Sequence, residues 1–264
     1  MTKIRRYTIP SAAVLAVAAG VGLATAPAQA APMVAYNGCA SDSFCTLTEL
    51  LNGGSITVDE DGNSTIEKTF DNWMNYSFSK GPVANPVTDP QGNIQVSATG
   101  TYIPGVSGSA TLNYTIVGGI NLAPLVLNST WSAEIFFDFD VTSAGYVPIV
   151  ERKDALTSAS TAGNGTNQVQ FNNIMMSGNQ TATPTSPVTD IMPFPETTTY
   201  TAMNNLKLQA RRTGTTTVPV PGTASVTSFS QTFTQVVIPE PGTVAGLLVA
   251  GGLGLAMKRR QKDS

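Results

Sequence analysis

The sequence predicts an all-β protein with an antiparallel β-sandwich of jelly-roll-like form. Two observations support this class: short runs rich in Thr, Val, Ile and Phe recur along the chain, and clusters of Gly, Pro, Asn and Asp separate them. A helical period occurs only in one short N-terminal stretch, and a hydrophobic helix is expected at the C-terminus. The residues between the two terminal segments, from Ala31 to about Ile238, number roughly 208 and suffice for one large or two small cores.

The N-terminus has the order of a secretory signal peptide. The basic start MTKIRRYTIP contains no acid, an apolar run follows over Ala12–Leu23, and small residues at Ala28 and Ala30 complete the pattern, which predicts cleavage after Ala30. A transmembrane anchor is the alternative, but a spanning helix needs about 20 apolar residues. Because an exported protein meets an oxidising compartment, Cys39 and Cys45 are expected to form a disulfide.

A short helix is expected directly after the second cysteine. In CTLTELLNGG, Glu49 follows Thr46 at the spacing of a capping box, and Gly53 stands where the helix would end. Its leucines are expected to face the core: Leu47, Leu50 and Leu51.

The predicted strands follow as short alternating runs. They are GSITV, STIEKTF, WMNYSFS, NIQVSAT, GSATLNYTIV, AEIFFDFDVT, NQVQFNNIMM, NNLKLQAR and TASVTSFSQTFTQVV. In AEIFFDFDV the alternation places on one face Ile135, Phe137, Phe139 and Val141, and on the other Glu134, Phe136, Asp138 and Asp140. One apolar and one polar face are typical of an antiparallel sheet with one solvated side.

Polar loops are predicted to interrupt the strands between Asp154 and Tyr200. These are TSASTAGNGTNQ and NQTATPTSPVTD. They are either a boundary between sub-domains or long loops on one sandwich, and we favour one domain because neither is flanked by a complete set of sandwich strands.

Composition restricts the classes of function. The chain contains no His, which excludes Ser-His-Asp and Cys-His nucleophile pairs and most catalytic zinc sites. Between the two terminal segments, seven basic residues stand against fifteen acidic ones, a net charge of −8. A nucleic-acid partner is not expected, since phosphate binding needs a stripe of Lys and Arg.

The C-terminus has three parts. Pro239, Glu240 and Pro241 form an extended acidic segment, because proline fixes φ and disfavours helix in its neighbour. An uncharged block of 14 residues follows over Val244–Met257 and precedes the basic cluster Lys258, Arg259 and Arg260. As a helix the block would be about 21 Å long, short for a hydrocarbon core of roughly 30 Å. This predicts a marginal stop-transfer element with a cytoplasmic basic end.

This tripartite order resembles the PEP-CTERM sorting signal. The resemblance implies that an exosortase, a membrane transpeptidase-like protease, recognises the tail and removes it as the protein moves to the cell surface or the extracellular polymer matrix. We therefore expect a signal peptide over 1–30, a secreted β-sandwich over 31–237 and the sorting signal over 238–262, which inserts transiently in the membrane. A plain C-terminal membrane anchor is the alternative.

Three further stretches are similar to a group of uncharacterised cyanobacterial PEP-CTERM proteins. They are CTLTELLNGGSITV, TFDNW and SVTSFSQTFTQ, and the similarity is strongest over Cys39–Trp73. Because the group has no assigned activity, this resemblance implies localisation and fold and no chemistry.

The stretch DEDGN invites a calcium hypothesis. Its oxygen ligands would be Asp59, Asp61, Asn63 and Glu67. However, Gly62 stands at the fourth loop position, whereas the EF-hand pattern has Gly at the sixth. Asp-Gly between two β runs favours a plain hairpin turn instead, and no cofactor is expected.

Two other groups of residues have both a functional and a purely structural interpretation. Asp138 and Asp140 share a strand face at a spacing of about 6.5–7 Å, which fits a pair of glycosidase carboxylates, but a solvated acidic face is favoured. The aromatic residues Trp73, Tyr76, Trp131 and Phe136 would suit a sugar-stacking platform, but core or edge positions are favoured.

The leading hypothesis is a non-catalytic structural or adhesive protein of the cell surface or exopolysaccharide matrix. A carbohydrate-binding module associated with exopolysaccharide is the second hypothesis, and a glycoside hydrolase that uses two carboxylates is the third.

Overall fold

The computed structural model describes residues 31–104, 106–144, 148–163, 167–175, 178–183, 189–190, 198–215 and 218–236. Within these ranges the helices are α1 (Leu47–Leu51) and a 3-10 turn over Gln91–Asn93. The strands are β1 (Met33–Asn37), β2 (Cys45–Thr46), β3 (Ser55–Asp59), β4 (Lys68–Gly81), β5 (Ile94–Ile103), β6 (Ser107–Leu122), β7 (Thr130–Ser143), β8 (Ile149–Ala162), β9 (Gln168–Met175), β10 (Gly178–Ala182), β11 (Thr189–Asp190), β12 (Thr199–Arg211), β13 (Thr213–Gly214), β14 (Pro219–Val220) and β15 (Thr223–Val236). The protein is therefore mostly β, as predicted.

The helix α1 has the predicted cap. The Thr46 side chain accepts a hydrogen bond from the Glu49 amide at 3.2 Å, and Glu49 Oε2 accepts one from the Thr46 amide at 2.7 Å. The chain leaves the helix through Gly53, whose φ of 98° favours glycine. Leu47 and Leu50 are buried, and Leu51 is partly buried. This prediction is confirmed.

The strands form two large antiparallel sheets and one small one. The first sheet has the order β1-β3-β4-β7-β12-β9-β10, the second has the order β11-β8-β15-β6-β5-β2, and β13 pairs with β14. Neighbours in the first sheet include β4 and β7, which share a register from Lys68↔Ser143 to Gly81↔Ser132. The C-terminal described strand, β15, lies between β8 and β6 in the second sheet.

Aromatic side chains of the two large sheets contact each other in one core. Phe70 of β4 lies 5.5 Å from Phe233 of β15 between ring centroids, and Tyr114 of β6 lies 5.6 Å from Phe137 of β7. Phe139 of β7 is 6.1 Å from Phe233. Burying each of these side chains contributes about 1.5–3 kcal/mol. The inner faces of the two sheets are thus held together by aromatic packing.

Strand β7 shows the predicted alternation with one exception. The four apolar positions Ile135, Phe137, Phe139 and Val141 are buried, as expected. Glu134 and Asp140 are partly exposed, but Asp138 is only 1% exposed. The prediction of a solvated acidic face is therefore wrong for Asp138.

The predicted polar loops are partly strand. The stretch TSASTA belongs to β8, and NQTA belongs to β10. Strand β8 pairs with β15, and small hydroxyl side chains hydrogen-bond across the pair, including Thr157 with Ser228 and Ser160 with Ser225, both at 2.8 Å. Polar cross-strand pairs thus occupy positions where apolar residues are the usual signal of a strand.

Candidate functional site

The sequence-predicted sites at the two ends lie outside the described residues. These are the cleavage residues Ala28 and Ala30, the sorting motif Pro239, Glu240 and Pro241, and the basic cluster Lys258, Arg259 and Arg260. The predicted C-terminal hydrophobic helix lies outside them too. In the part of the chain that the structure describes, no helix has the length and apolar character needed to cross a membrane. The terminal assignments stay predictions.

The predicted disulfide is present. Cys39 and Cys45 are bonded, with their Cα atoms 5.2 Å apart. The bond holds the loop after β1 against the start of α1, since Cys45 immediately precedes the helix cap Thr46. Cys45 is fully buried in the core.

The connection between β3 and β4 carries the acidic cluster Asp59, Asp61 and Glu67. One carboxylate oxygen of each lies within 4.8 Å of the others. The two strands are antiparallel neighbours, as a hairpin requires, but the turn spans residues 60–67 and is longer than the plain Asp-Gly turn that the sequence favours. Asn63 hydrogen-bonds to Asp61 through its side-chain amide at 2.8 Å and is exposed.

Backbone amides donate hydrogen bonds to the carboxylates of this connection. Asp59 accepts hydrogen bonds from the amides of Gly62 at 2.6 Å and Ser64 at 2.7 Å, and Glu67 accepts one from the Glu60 amide at 2.6 Å. Burial raises the pKa of Glu67 to about 7, and the neighbouring acids Asp61, Asp59 and Glu60 add to the effect. These bonds give the three acids a role in forming the loop, and the calcium hypothesis stays untested.

The proposed carboxylate pair on β7 is held by asparagines of β4. Asn75 donates to Asp138 at 2.8 Å and Asn72 donates to Asp140 at 2.7 Å. Thr201 of β12 donates to the other oxygen of Asp140 at 2.5 Å. Burial raises the pKa of Asp138, and the hydrogen bond from Asn75 opposes this. These contacts are cross-strand hydrogen bonds that connect neighbouring strands, and they differ from a pair of free carboxylates around a cleft.

Two of the four aromatic residues of the proposed sugar platform lie in the core, and the other two are partly buried. Trp73 and Trp131 are each 5% exposed, and Trp73 stacks on Phe139 with 4.3 Å between ring centroids. Tyr76 and Phe136 are partly buried, and the Tyr76 hydroxyl donates to Asp89. The preference for core positions is confirmed for the two tryptophans.

Buried polar groups between the sheets are the feature that sequence reasoning missed. One network joins Arg152, Asp154, Asn204 and Gln231: Arg152 donates to Asp154 at 2.9 Å and to Asn204 at 2.8 Å, while Gln231 donates to Asn204 at 2.7 Å. Tyr114 donates to Gln231 at 2.6 Å. The network links β8, β15 and β6 of the second sheet to β12 of the first.

A second group consists of Glu60, Lys68 and Gln235. Lys68 donates to Glu60 Oε1, and Gln235 Nε2 donates to Glu60 Oε2 at 3.3 Å. Lys68 and Glu60 are fully buried and Gln235 is 5% exposed. The sequence contains a signal of this burial in the strand alternation, because residues two apart in a strand point to the same face. Lys68 is two residues before the inward-facing Phe70, and Gln235 is two residues after Phe233.

No protein-family model, no curated protein and no solved structure matches this chain. Its function is therefore inferred from its own residues.

Proposed function

We propose that the protein is an exported β-sandwich, jelly-roll-like in form, that is delivered to the cell surface or extracellular polymer matrix and acts there as a structural or adhesive component without catalysis. The observation that carries this proposal is the pair of terminal signals. An export signal ends at Ala30, and the tail combines Pro239-Glu240-Pro241, an apolar block too short for a comfortable span, and a basic end.

The described residues support a sandwich and a robust exported domain. Aromatic side chains of both large sheets share one core, and a disulfide stabilises the N-terminal segment. The acids that would serve a hydrolase, Asp138 and Asp140, are engaged by Asn75, Asn72 and Thr201. A structural role explains these contacts without requiring a reaction.

The experiment compares the wild-type protein with a triple variant, Pro239→Ala, Glu240→Ala and Pro241→Ala, in the native host. Intact mass of wild-type protein recovered from the envelope is expected to lack both terminal segments. The triple variant is expected to keep its C-terminal peptide and to accumulate in the membrane fraction. Asp263→Ala changes an acid beyond the basic cluster and is the matched control, expected to be processed normally. An unprocessed C-terminus in the wild-type protein would favour the plain anchor.

A carbohydrate-binding module associated with exopolysaccharide is the second candidate, and one surface favours it. The outer face of the second sheet carries rows of neutral polar side chains in cross-strand register. One row contains Thr99, Thr111 and Thr232, and the next contains Thr101, Ser109 and Thr234. Thr111 and Thr232 are hydrogen-bonded at 2.9 Å. Hydroxyl groups arranged this way could hydrogen-bond to sugar hydroxyls.

Affinity electrophoresis in gels cast with the host exopolysaccharide tests this second candidate. Retarded migration that is lost in Thr99→Val with Thr111→Val would support it, because valine keeps the shape and β propensity of threonine while removing the hydroxyl. Thr57→Val, on β3 of the first sheet, is the matched control. If the migration of the wild-type protein is not retarded, the carbohydrate-binding candidate is eliminated and the structural role remains.

A further inference from the structure

The three buried residues Lys68, Glu60 and Gln235, hereafter the Lys68 trio, come from distant parts of the chain. Lys68 begins β4 in the first sheet, Glu60 follows β3, and Gln235 lies near the end of β15 in the second sheet. Glu60 and Gln235 are 175 positions apart in sequence. A long charged side chain with no solvent access is unusual unless it is paired, and the trio places one such side chain beside a carboxyl group and a carboxamide.

Glu60 contacts both nitrogen atoms of the trio. Its Oε1 accepts from Lys68 Nζ, and its Oε2 accepts from Gln235 Nε2 at 3.3 Å. Gln235 Oε1 is buried and has no hydrogen-bond partner among the described residues. Gly108 forms the adjacent wall: a Cβ there would collide with Glu60 Oε2 and lie 3.5 Å from Gln235 Nε2. The absence of a side chain at Gly108 therefore makes room for the carboxyl group between the two nitrogens.

We propose that Lys68 and Gln235 become joined by an intramolecular amide bond, with Glu60 as the group that transfers the proton. The uncharged Nζ attacks Cδ of Gln235, and a new N–C bond forms. Glu60 accepts a proton from Nζ through Oε1 and supplies one to Nε2 through Oε2. The Cδ–Nε2 bond then breaks, and ammonia leaves. The sum is an amine and a primary amide giving a secondary amide and ammonia, with no oxidant or other reactant.

The surroundings favour this reaction in two ways. The fold holds the nucleophile, the proton carrier and the leaving group in one site, which replaces a bimolecular encounter by an intramolecular one. The product also removes a buried amine whose charged form is costly to desolvate.

The bond would join β4 of the first sheet to β15 of the second. Strand β15 is the last described strand before the predicted sorting motif at Pro239. If the protein is held at a surface through its C-terminus, which rests on the proposed function, a pull on β15 would be carried directly into the first sheet. The bond itself needs only the folded domain, so its test is independent of sorting.

Mass spectrometry of the purified, folded full chain tests the proposal. The wild-type protein is expected to be lighter than its sequence by one ammonia, after allowance for the disulfide and for any terminal processing. Trypsin is expected to leave Lys68 uncut and to yield a branched peptide that joins the segment ending at Lys80 to the segment beginning at Thr213. A wild-type protein with the unaltered mass and normal cleavage at Lys68 would overturn the proposal. A loss of one water with a Lys68–Glu60 link would overturn the assignment of Gln235.

Two variants separate the roles within the trio. Glu60→Gln keeps the shape of the proton carrier but removes its acid, and it is expected to abolish the branched peptide while Lys68 and Gln235 remain. Lys153→Gln removes an exposed lysine of β8 and is the matched control, expected to keep the full mass loss. A complete cross-link in a folded Glu60→Gln protein would contradict the role of Glu60. The wild-type mass decides the bond even if that variant does not fold.

Discussion

Asn75 donates a 2.8 Å hydrogen bond to Asp138 across the β4–β7 pair, and a second asparagine, Asn72, repeats the arrangement with Asp140. Both asparagines have positive φ, 55° and 51°, and the register of the pair shifts at both points. These features mark two bulges in β4. Between them Trp73 turns into the core, where it stacks on Phe139. The bulges thus place the Asn–Asp hydrogen bonds on the outer face of the sheet and the Trp73 ring on the inner face.

The first prediction is that these two hydrogen bonds contribute unequally to the free energy of unfolding. Asn75→Gly keeps the positive φ but removes the donor to the buried Asp138, so it is expected to lower the free energy of unfolding by about 2 kcal/mol, the scale of a hydrogen bond to a charged group. Asn72→Gly is the matched control, because its partner Asp140 is partly exposed and keeps Thr201. Urea unfolding of both variants measures the difference. Equal losses would show that the burial of Asp138 is unimportant.

The disulfide carries the second prediction. The chain-entropy estimate for so short a loop is about 2 kcal/mol, and the double variant Cys39→Ala with Cys45→Ala is expected to lose that amount of unfolding free energy. Reduction is the control: a reductant should lower the Tm of the wild-type protein and leave the Tm of the double variant unchanged. A double variant as stable as the oxidised protein would contradict a stabilising role for the bond.

Local features of this fold were accessible from the sequence. The capping box at Thr46 and Glu49, the disulfide and the inward face of β7 depend on residues within a few positions of each other, where spacing alone determines the geometry. Strand β8 was missed because Arg152 and Asp154 occupy its inward positions. Charged residues there conceal the apolar alternation that identifies a strand.

Contacts between distant segments were not accessible. Gln231 meets Asp154 and Asn204 only because β15 lies beside β8 and opposite β12, and the order of the strands is not written in any local pattern. The same holds for Glu60 and Gln235. The spacing of Lys68 and Phe70 was a signal of an inward lysine that sequence reasoning did not use, and no spacing could have identified its partner, which is determined by the packing of the two sheets.

The third prediction is a pH dependence that arises from Glu67. In the folded protein its pKa is raised to about 7, whereas its ordinary value is 4.5. Between these values the folded state holds more protons than the unfolded state, so the free energy of unfolding falls as the pH rises through this window. Glu67→Gln keeps an acceptor for the Glu60 amide and is expected to flatten that decline, measured by thermal unfolding at a series of pH values.

Glu49 supplies a control of opposite sign for this pH series. Hydrogen bonds from the amides of Thr46 and Ala40 lower its pKa below 4.5. Its contribution is therefore present above pH 4.5 and lost as the pH falls through the lowered value. Glu49→Gln is expected to weaken the protein at neutral pH without flattening the decline between pH 4.5 and 7. An unchanged slope in Glu67→Gln would show that Glu67 does not titrate in this window.

The fourth prediction tests the close approach of Gly108 to Glu60. Gly108→Ala places a methyl group where Glu60 Oε2 now lies, so Glu60 must move and its contacts with Lys68 and Gln235 must weaken. Crowding in a packed interior typically costs about 1–3 kcal/mol. Gly92→Ala is the matched control, because the nearest atom to its added Cβ, Thr48 Oγ1, is 3.9 Å away.

In a Glu60→Ala background the obstacle is gone, and Gly108→Ala is expected to cost less than in the wild-type protein. Chemical denaturation of the four proteins of this double-mutant cycle measures the coupling, and additive effects would mean that Gly108 and Glu60 do not interact.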